Sequence, residues 1–258
     1  MKTSALRIAG ASVLLAWGAV GLSACGNSAG SPDTAKGAAA PVATPVSSAT
    51  ATPTPTPTPT RAKAYTSDQL TALVAKLKDA HGKPLTVMSN ADLKKTINQA
   101  KSALASMSVE PKECAPLALG GQMPSPESLA AGAGLSQDAA TGAVTGISLA
   151  SVAGSKVLSQ GLVQSEDLKK CSNLSVMTGG TKVDVKLTKL GALGSTPGSI
   201  AYRTDTAFPD GQMQSAITGQ VVQNGVLFTV SAAGGSSEAD AVSRAGKLLD
   251  QAAALVGK

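Results

Sequence analysis

Aromatic side chains are almost missing from this chain: one tryptophan, two tyrosines and two phenylalanines in 258 residues. Trp17 lies in an apolar N-terminal run, which leaves Tyr65, Tyr202, Phe208 and Phe228 for everything downstream. A basic groove with stacked bases and a sugar-binding aromatic platform both need more, so nucleic acid is not an expected partner. Histidine is scarcer still. His81 stands alone, which excludes a two-histidine metal centre. Charged residues make up 15%, and the formal balance of +6 is spread as single lysines without a dense run. At most this gives a mild attraction to anionic envelope polymers. No Gly-x-Ser-x-Gly elbow is present, and Gly120-Gly121, Gly179-Gly180 and Gly234-Gly235 lack the Lys-Ser/Thr context of a phosphate loop and look like turns. Glu166 with Asp167, and Glu110 with Glu113, are carboxylate neighbours of the kind that decorate a solvated turn rather than an acid/base pair. The expectation is therefore a protein that is not an enzyme and holds no cofactor or metal.

What the sequence does have begins with an export signal. Lys2 and Arg7 form a basic start, Ile8 to Val20 is apolar, and small residues follow, so residues 1–24 read as a signal peptide. The apolar core is about 13 residues, short of the roughly 20 a spanning helix needs. The stretch Leu22-Ser23-Ala24-Cys25 resembles the lipobox of bacterial lipoproteins, in which the cysteine receives diacylglycerol on its sulfur before cleavage in front of it. The resemblance implies a lipid anchor at Cys25 on the extracytoplasmic face of the cell membrane, and a diacylglyceryl thioether supplies the two chains that stable anchoring takes. Loss of Lys2 and Arg7 with the signal takes the side-chain balance from +6 to +4.

Residues 25–63 are Ala, Pro, Ser, Thr and Gly with almost nothing to bury, which reads as a disordered stalk. Thr52 to Thr60 is a strict Thr-Pro alternation that favours polyproline II and spans roughly 28 Å. The composition is also one that accepts O-linked sugars.

Residues 64–258 read as one extracytoplasmic α+β domain. Thr66 with Gln69 makes a capping box, and Leu70, Leu73, Val74 and Leu77 continue at helical spacing up to His81-Gly82, where the imidazole is placed to cap the last carbonyls. Ser89 to Asp92 repeats the start signal, and Leu93, Ile97, Ala100 and Leu104 mark a second amphipathic helix. Ser125-Pro126-Glu127-Ser128 opens a short helical turn limited by Gly132 and Gly134. Strands are then expected over 143–152, 172–177, 182–190, 199–204, 214–222 and 226–232. The cleanest alternation sets Val183, Val185, Leu187 and Leu190 against Asp184, Lys186 and Lys189. Asn224-Gly225 between two apolar runs predicts a two-residue hairpin. A helix from about Ser237, with Val242, Ala245, Leu248, Leu249, Ala252, Leu255 and Val256 on one face, closes the chain. The expected architecture is N-terminal helices, an antiparallel sheet of about five or six strands, and a C-terminal helix packed on the sheet.

With Cys25 lipidated, Cys114 and Cys171 remain, an even pair in an oxidising compartment. The expectation is that they bond; two free buried thiols are the alternative.

The layout as a whole resembles actinobacterial cell-surface lipoproteins and the extracellular sensor domains of mycobacterial serine/threonine kinases, the PknH-like sensor group. The elements that carry the resemblance are the lipobox at Leu22 to Cys25, the Thr/Pro stalk, a helix beginning "YTSDQLTALV", a Pro-x-x-Cys-Ala segment at Pro111 to Ala115, a second cysteine ahead of strands, and the closing strand, loop and helix. It implies a lipid-anchored, non-catalytic binding or sensing module whose ligand is an envelope polymer, a lipid or a protein. The alternative is a carrier of lipids or glycolipids, with the Leu, Val and Ala-rich strands lining an apolar cavity.

Overall fold

A computed structural model describes residues 65–118, 129–151 and 162–256. The signal peptide, Leu22 to Cys25, the stalk and the Ser125 to Ser128 turn lie outside the described residues. Helix α1 (Ser67–Val74) leads to strand β1 (Thr86–Val87), α2 (Asn90–Ala105) and β2 (Ser108–Glu110). A 3-10 turn (Lys112–Cys114) and α3 (Ala115–Ala118) precede the hairpin β3 (Ala130–Asp138) and β4 (Ala143–Ser151). Then come α4 (Ser165–Lys170), β5 (Asn173–Thr178), β6 (Thr181–Lys189), β7 (Ile200–Ala207), β8 (Met213–Gln223), β9 (Val226–Ala233) and α5 (Glu238–Val256). The strands form one antiparallel sheet in the order β1-β3-β4-β9-β8-β7-β6-β5-β2.

The sheet thus has nine described strands, not the five or six expected. The six strands legible as alternation are β4 to β9. The other three escape for different reasons. Strands β1 and β2 are two and three residues long, too short to show a period. Strand β3 is Ala-Ala-Gly-Ala-Gly-Leu-Ser-Gln-Asp, which has no β-branched residue, and its glycines are set by packing rather than by propensity. A Cβ on Gly132 would stand 2.7 Å from the backbone of Leu70 and Thr71, and one on Gly134 would stand 2.6 Å from Val74 Cγ1. Helix α1 therefore sits almost on the strand backbone. Gly132→Ala is expected to cost about 2 kcal/mol, because backbone must move to admit the methyl. Urea denaturation checks this; a loss under about 0.5 kcal/mol would mean that the helix is not held as closely as described.

Alternation along the strands builds two cores on opposite faces. On the first face Val226, Phe228, Val230 and Ala232 of β9, with Ile147 and Leu149 of β4 and Ile217 and Val221 of β8, meet Leu70 and Val74 of α1 and Ala245, Leu248, Leu249 and Ala252 of α5. Burying a Leu or Phe of this kind contributes roughly 2 kcal/mol. On the other face Leu174, Leu187 and Tyr202 meet Val109, Leu117, Val163 and Leu168 around a disulfide between Cys114 and Cys171. Complete burial raises the Tyr202 hydroxyl pKa to about 12, against a hydrogen bond to Thr218 that lowers it. The Asn224-Gly225 hairpin forms as read, with φ of 50° and 77° joining β8 to β9.

Arg244 joins the terminal helix to the sheet. It is 7% exposed, and its guanidinium donates to the Asp240 carboxylate, the Thr145 hydroxyl and the carbonyls of Val144, Ala233 and Gly234. Near the other end of α5, Asp250 accepts from the amides of Ser195 and Thr196 and from the Thr196 hydroxyl at 2.7 to 2.9 Å. Burial pushes the Asp250 pKa up, but the hydrogen bonds from Thr196 and Ser195 outweigh it and hold the carboxyl below its usual value. A depressed folded pKa means stabilisation that is complete above the unfolded value and is lost as pH falls through the folded one. Asp250→Asn should therefore be less stable than wild type at about pH 7, with the gap narrowing below about pH 4. Paired urea titrations at the two pH values read it; a constant gap would mean that the carboxylate charge is not what holds the 193–197 loop.

The first helix ends earlier than expected. Its capping box forms, with Gln69 N–H donating to Thr66 Oγ1 and Thr66 N–H to Gln69 Oε1, but the helix stops at Val74. Gln251 of α5 takes both backbone groups of Lys78, at 3.2 and 3.0 Å, and turns the chain into a bridge with Pro84. His81 consequently caps no helix. It sits exposed in a tight turn, its amide donating to Asp79 Oδ1 at 2.9 Å.

Candidate functional site

Helices α1 and α5 cover the first face only over β3, β4, β9 and β8. The remainder of that face, over β7, β6, β5 and β2, is polar and forms a groove among the described residues. Antiparallel pairing puts directly opposite residues on the same side of a sheet, so the register gives its floor. One row runs Asn173, Lys186, Asp205, Ser215 across β5, β6, β7 and β8. The next runs Glu110, Ser175, Asp184, Ala207, Met213 across β2, β5, β6, β7 and β8. All but Ser215 of these line a groove of about 520 Å³, within the range of small-ligand sites. The next row inward, Thr188, Arg203 and Ile217, marks where the polar floor meets the core.

The charges of this floor fall into two kinds. Some are satisfied within the fold. Asp205 accepts from Arg203 Nε and Nη2 at 2.9 Å and from Ser215 Oγ at 2.6 Å, and Arg203 Nη1 reaches Glu238 at the start of α5 at 2.6 Å. Those carboxylates, Glu238 first, raise the Arg203 pKa. Asp184 accepts from Ser175 Oγ at 2.7 Å and pairs with Lys182 at 3.2 Å, and the serine hydrogen bond followed by the lysine lowers its pKa. Others are not satisfied: among the described residues Lys186 and Glu110 make no ion pair. Lys186 stands opposite Asp205 in the register, yet Arg203 and Ser215 already occupy that carboxylate. Met213, 67% exposed, ends the outer row with an apolar contact.

The sequence signalled this floor as the wet side of β6, Asp184 and Lys186, and as the carboxylate of Glu110. Asn173, Arg203, Asp205 and Ser215 went unnoticed, because nothing local marks residues that four strands bring together. Glu110 and Glu113 do not work as a pair: Glu110 faces the groove from β2, and Glu113 is in the 3-10 turn. Glu166 and Asp167 occupy the first turn of α4, where the helix dipole favours them. Cys114 and Cys171 are 57 residues apart in sequence and bonded. Cys25 and its lipobox lie outside the described residues. Among the described residues no three His, Cys, Asp or Glu side chains are grouped to hold a metal, and no helix is long and apolar enough to cross a membrane.

No protein-family model matches this chain, and no curated protein does. Two solved structures from mycobacteria are similar to it. The extracellular domain of PknH from Mycobacterium tuberculosis is 12% identical, with a TM-score of 0.45, over 76% of this chain and 98% of that one. An uncharacterised protein of Mycobacterium smegmatis, the Rv0999 ortholog, is 15% identical, with a TM-score of 0.41, over 59% of this chain and 77% of that one. The PknH-like group read from the layout is thus met again among solved structures. The likeness is one of fold, and no residue role passes from either protein to this chain.

Proposed function

We propose that this chain is a non-catalytic binding or sensing module that takes its ligand in the groove over β2, β5, β6 and β7, presented outside the cell on a Thr/Pro stalk lipidated at Cys25. The observation that carries the proposal is the uncovered half of the helix-side face. There Asp184 and Asp205 accept from neighbours within the fold, while Lys186 and Glu110 make no ion pair among the described residues. Charged groups left unpaired over a preformed groove are available for recognition rather than for stability. The carrier alternative gains no support from packing. Under α5, where a helix-on-sheet carrier would keep a lipid, Phe228, Ile217, Leu248 and Leu249 fill the space at 2% exposure or less.

Amide hydrogen exchange of the full chain, with and without a soluble extract of the cell envelope, tests the site. Slowing confined to β5, β6 and β7 is the expected result; slowing only elsewhere would remove the groove from consideration. For the anchor, a clickable fatty-acid analogue fed to an expressing mycobacterial host should label wild type and leave Cys25→Ser dark.

A further inference from the structure

We infer that the ligand of this groove is a short zwitterion of peptide type, carrying an ammonium group and a carboxylate about a tripeptide's length apart; this rests on the groove being the binding site. Among the described residues neither Glu110, on β2, nor Lys186, on β6 with Asn173 beside it in the same row, makes an ion pair, and both line the groove. The other ionised groups of the groove floor have partners inside the fold: Arg203 with Asp205 and Glu238, and Lys182 with Asp184. A purely cationic ligand would leave Lys186 facing it, and a purely anionic one would meet Glu110. The two free charges together select a ligand that bears both signs.

The register sets the spacing. From Glu110 to Lys186 the chain steps across two strand intervals and along two residues, a Cα separation of roughly 12 Å. An extended tripeptide spans roughly 10 Å from its amine to its carboxylate. Its ammonium group meets Glu110 and its carboxylate meets Lys186 and the Asn173 amide. The charges already paired within the floor give it a fixed shape against which the ligand is read.

The probes are trialanine with free ends, its N-acetyl form, its C-terminal amide and the doubly blocked peptide. Each is titrated into the full chain, purified in non-ionic detergent, and followed by amide chemical shifts. Free trialanine should give saturable shifts in β5, β6 and β7, and either blocked end should weaken binding at least about fivefold. Glu110→Gln should erase the effect of acetylation only, and Lys186→Met that of amidation only. Both are exposed surface positions, so the variants keep the fold, which the unshifted amides of the rest of the domain verify. Equal binding of free and blocked peptides overturns the zwitterion, as does binding that ignores both substitutions. If no peptide binds while envelope extract still protects the groove, the zwitterion fails and the binding module stands. If the extract fails too, both fall.

Discussion

Removal of the disulfide by Cys114→Ala with Cys171→Ala lowers the unfolding free energy by about 4 kcal/mol, the loop-closure value for a separation of 57 residues. Against a typical stability of roughly 5 to 15 kcal/mol this is a large share. The effect is large here because of what the bond joins. The second core rests on short helices: α3 has four residues and α4 has six, neither able to hold itself in water. Without the bond they are kept on this face by a small apolar cluster whose buried members outside the sheet are Leu117, Val163 and Leu168, with Ala115 and Ala118 packed against it. The loss should therefore be local before it is global, with amide protection falling first in β2 and β5 and last in β9. Urea midpoints of the two forms give the total, and hydrogen exchange gives the order. A loss below about 1 kcal/mol would mean that the side-chain packing alone holds this face.

The second large effect is at Arg244. Arg244→Ala is expected to cost about 3 kcal/mol, since it empties the buried site of the guanidinium and removes five hydrogen bonds, those to the Thr145 hydroxyl and the Asp240 carboxylate among them. Arg244 binds Val144 of β4, Ala233 and Gly234 at the end of β9, and Asp240 in the first turn of α5. It fixes the angle at which the terminal helix leaves the sheet. Arg244→Lys should recover little, because a single ammonium cannot serve a hydroxyl, a carboxylate and three carbonyls spread around a planar fork. Thermal and urea unfolding of both variants decide it. Recovery of most of the stability by lysine would show that charge, not shape, is what matters.

Much of the fold was legible in the chain. The Asn224-Gly225 turn, the alternation of Val183, Val185 and Leu187, the capping box at Thr66 and the apolar face of α5 are local signals, and the structure follows each. What was not legible depends on distant partners. Strand β3 reads as a glycine-limited helical turn until α1 is laid against it. Helix α1 runs on to His81 by period alone, but it ends at Val74, and beyond that end the backbone of Lys78 is held by Gln251, 173 residues away. The groove was hidden for the same reason. Its polar residues carry no motif, and what matters about Lys186 is that Asp205 is already occupied, which no local reading can reveal.

The chain's path gives the sheet a further property. Helix α2 runs between β1 and β2, the two outermost strands of the sheet, so that it links one margin to the other. The strands of eight residues or more are all interior, and the margins are two and three residues long, one of them running straight into Pro111. Beside β1 two more outward groups of β3 are occupied: Ala131 N–H donates to Ser67 Oγ, and the Ala133 carbonyl accepts from Met88 N–H. An open sheet of this width would otherwise offer other chains a template for strand addition and aggregation. Among the described residues these arrangements leave little unpaired strand backbone at the margins to copy.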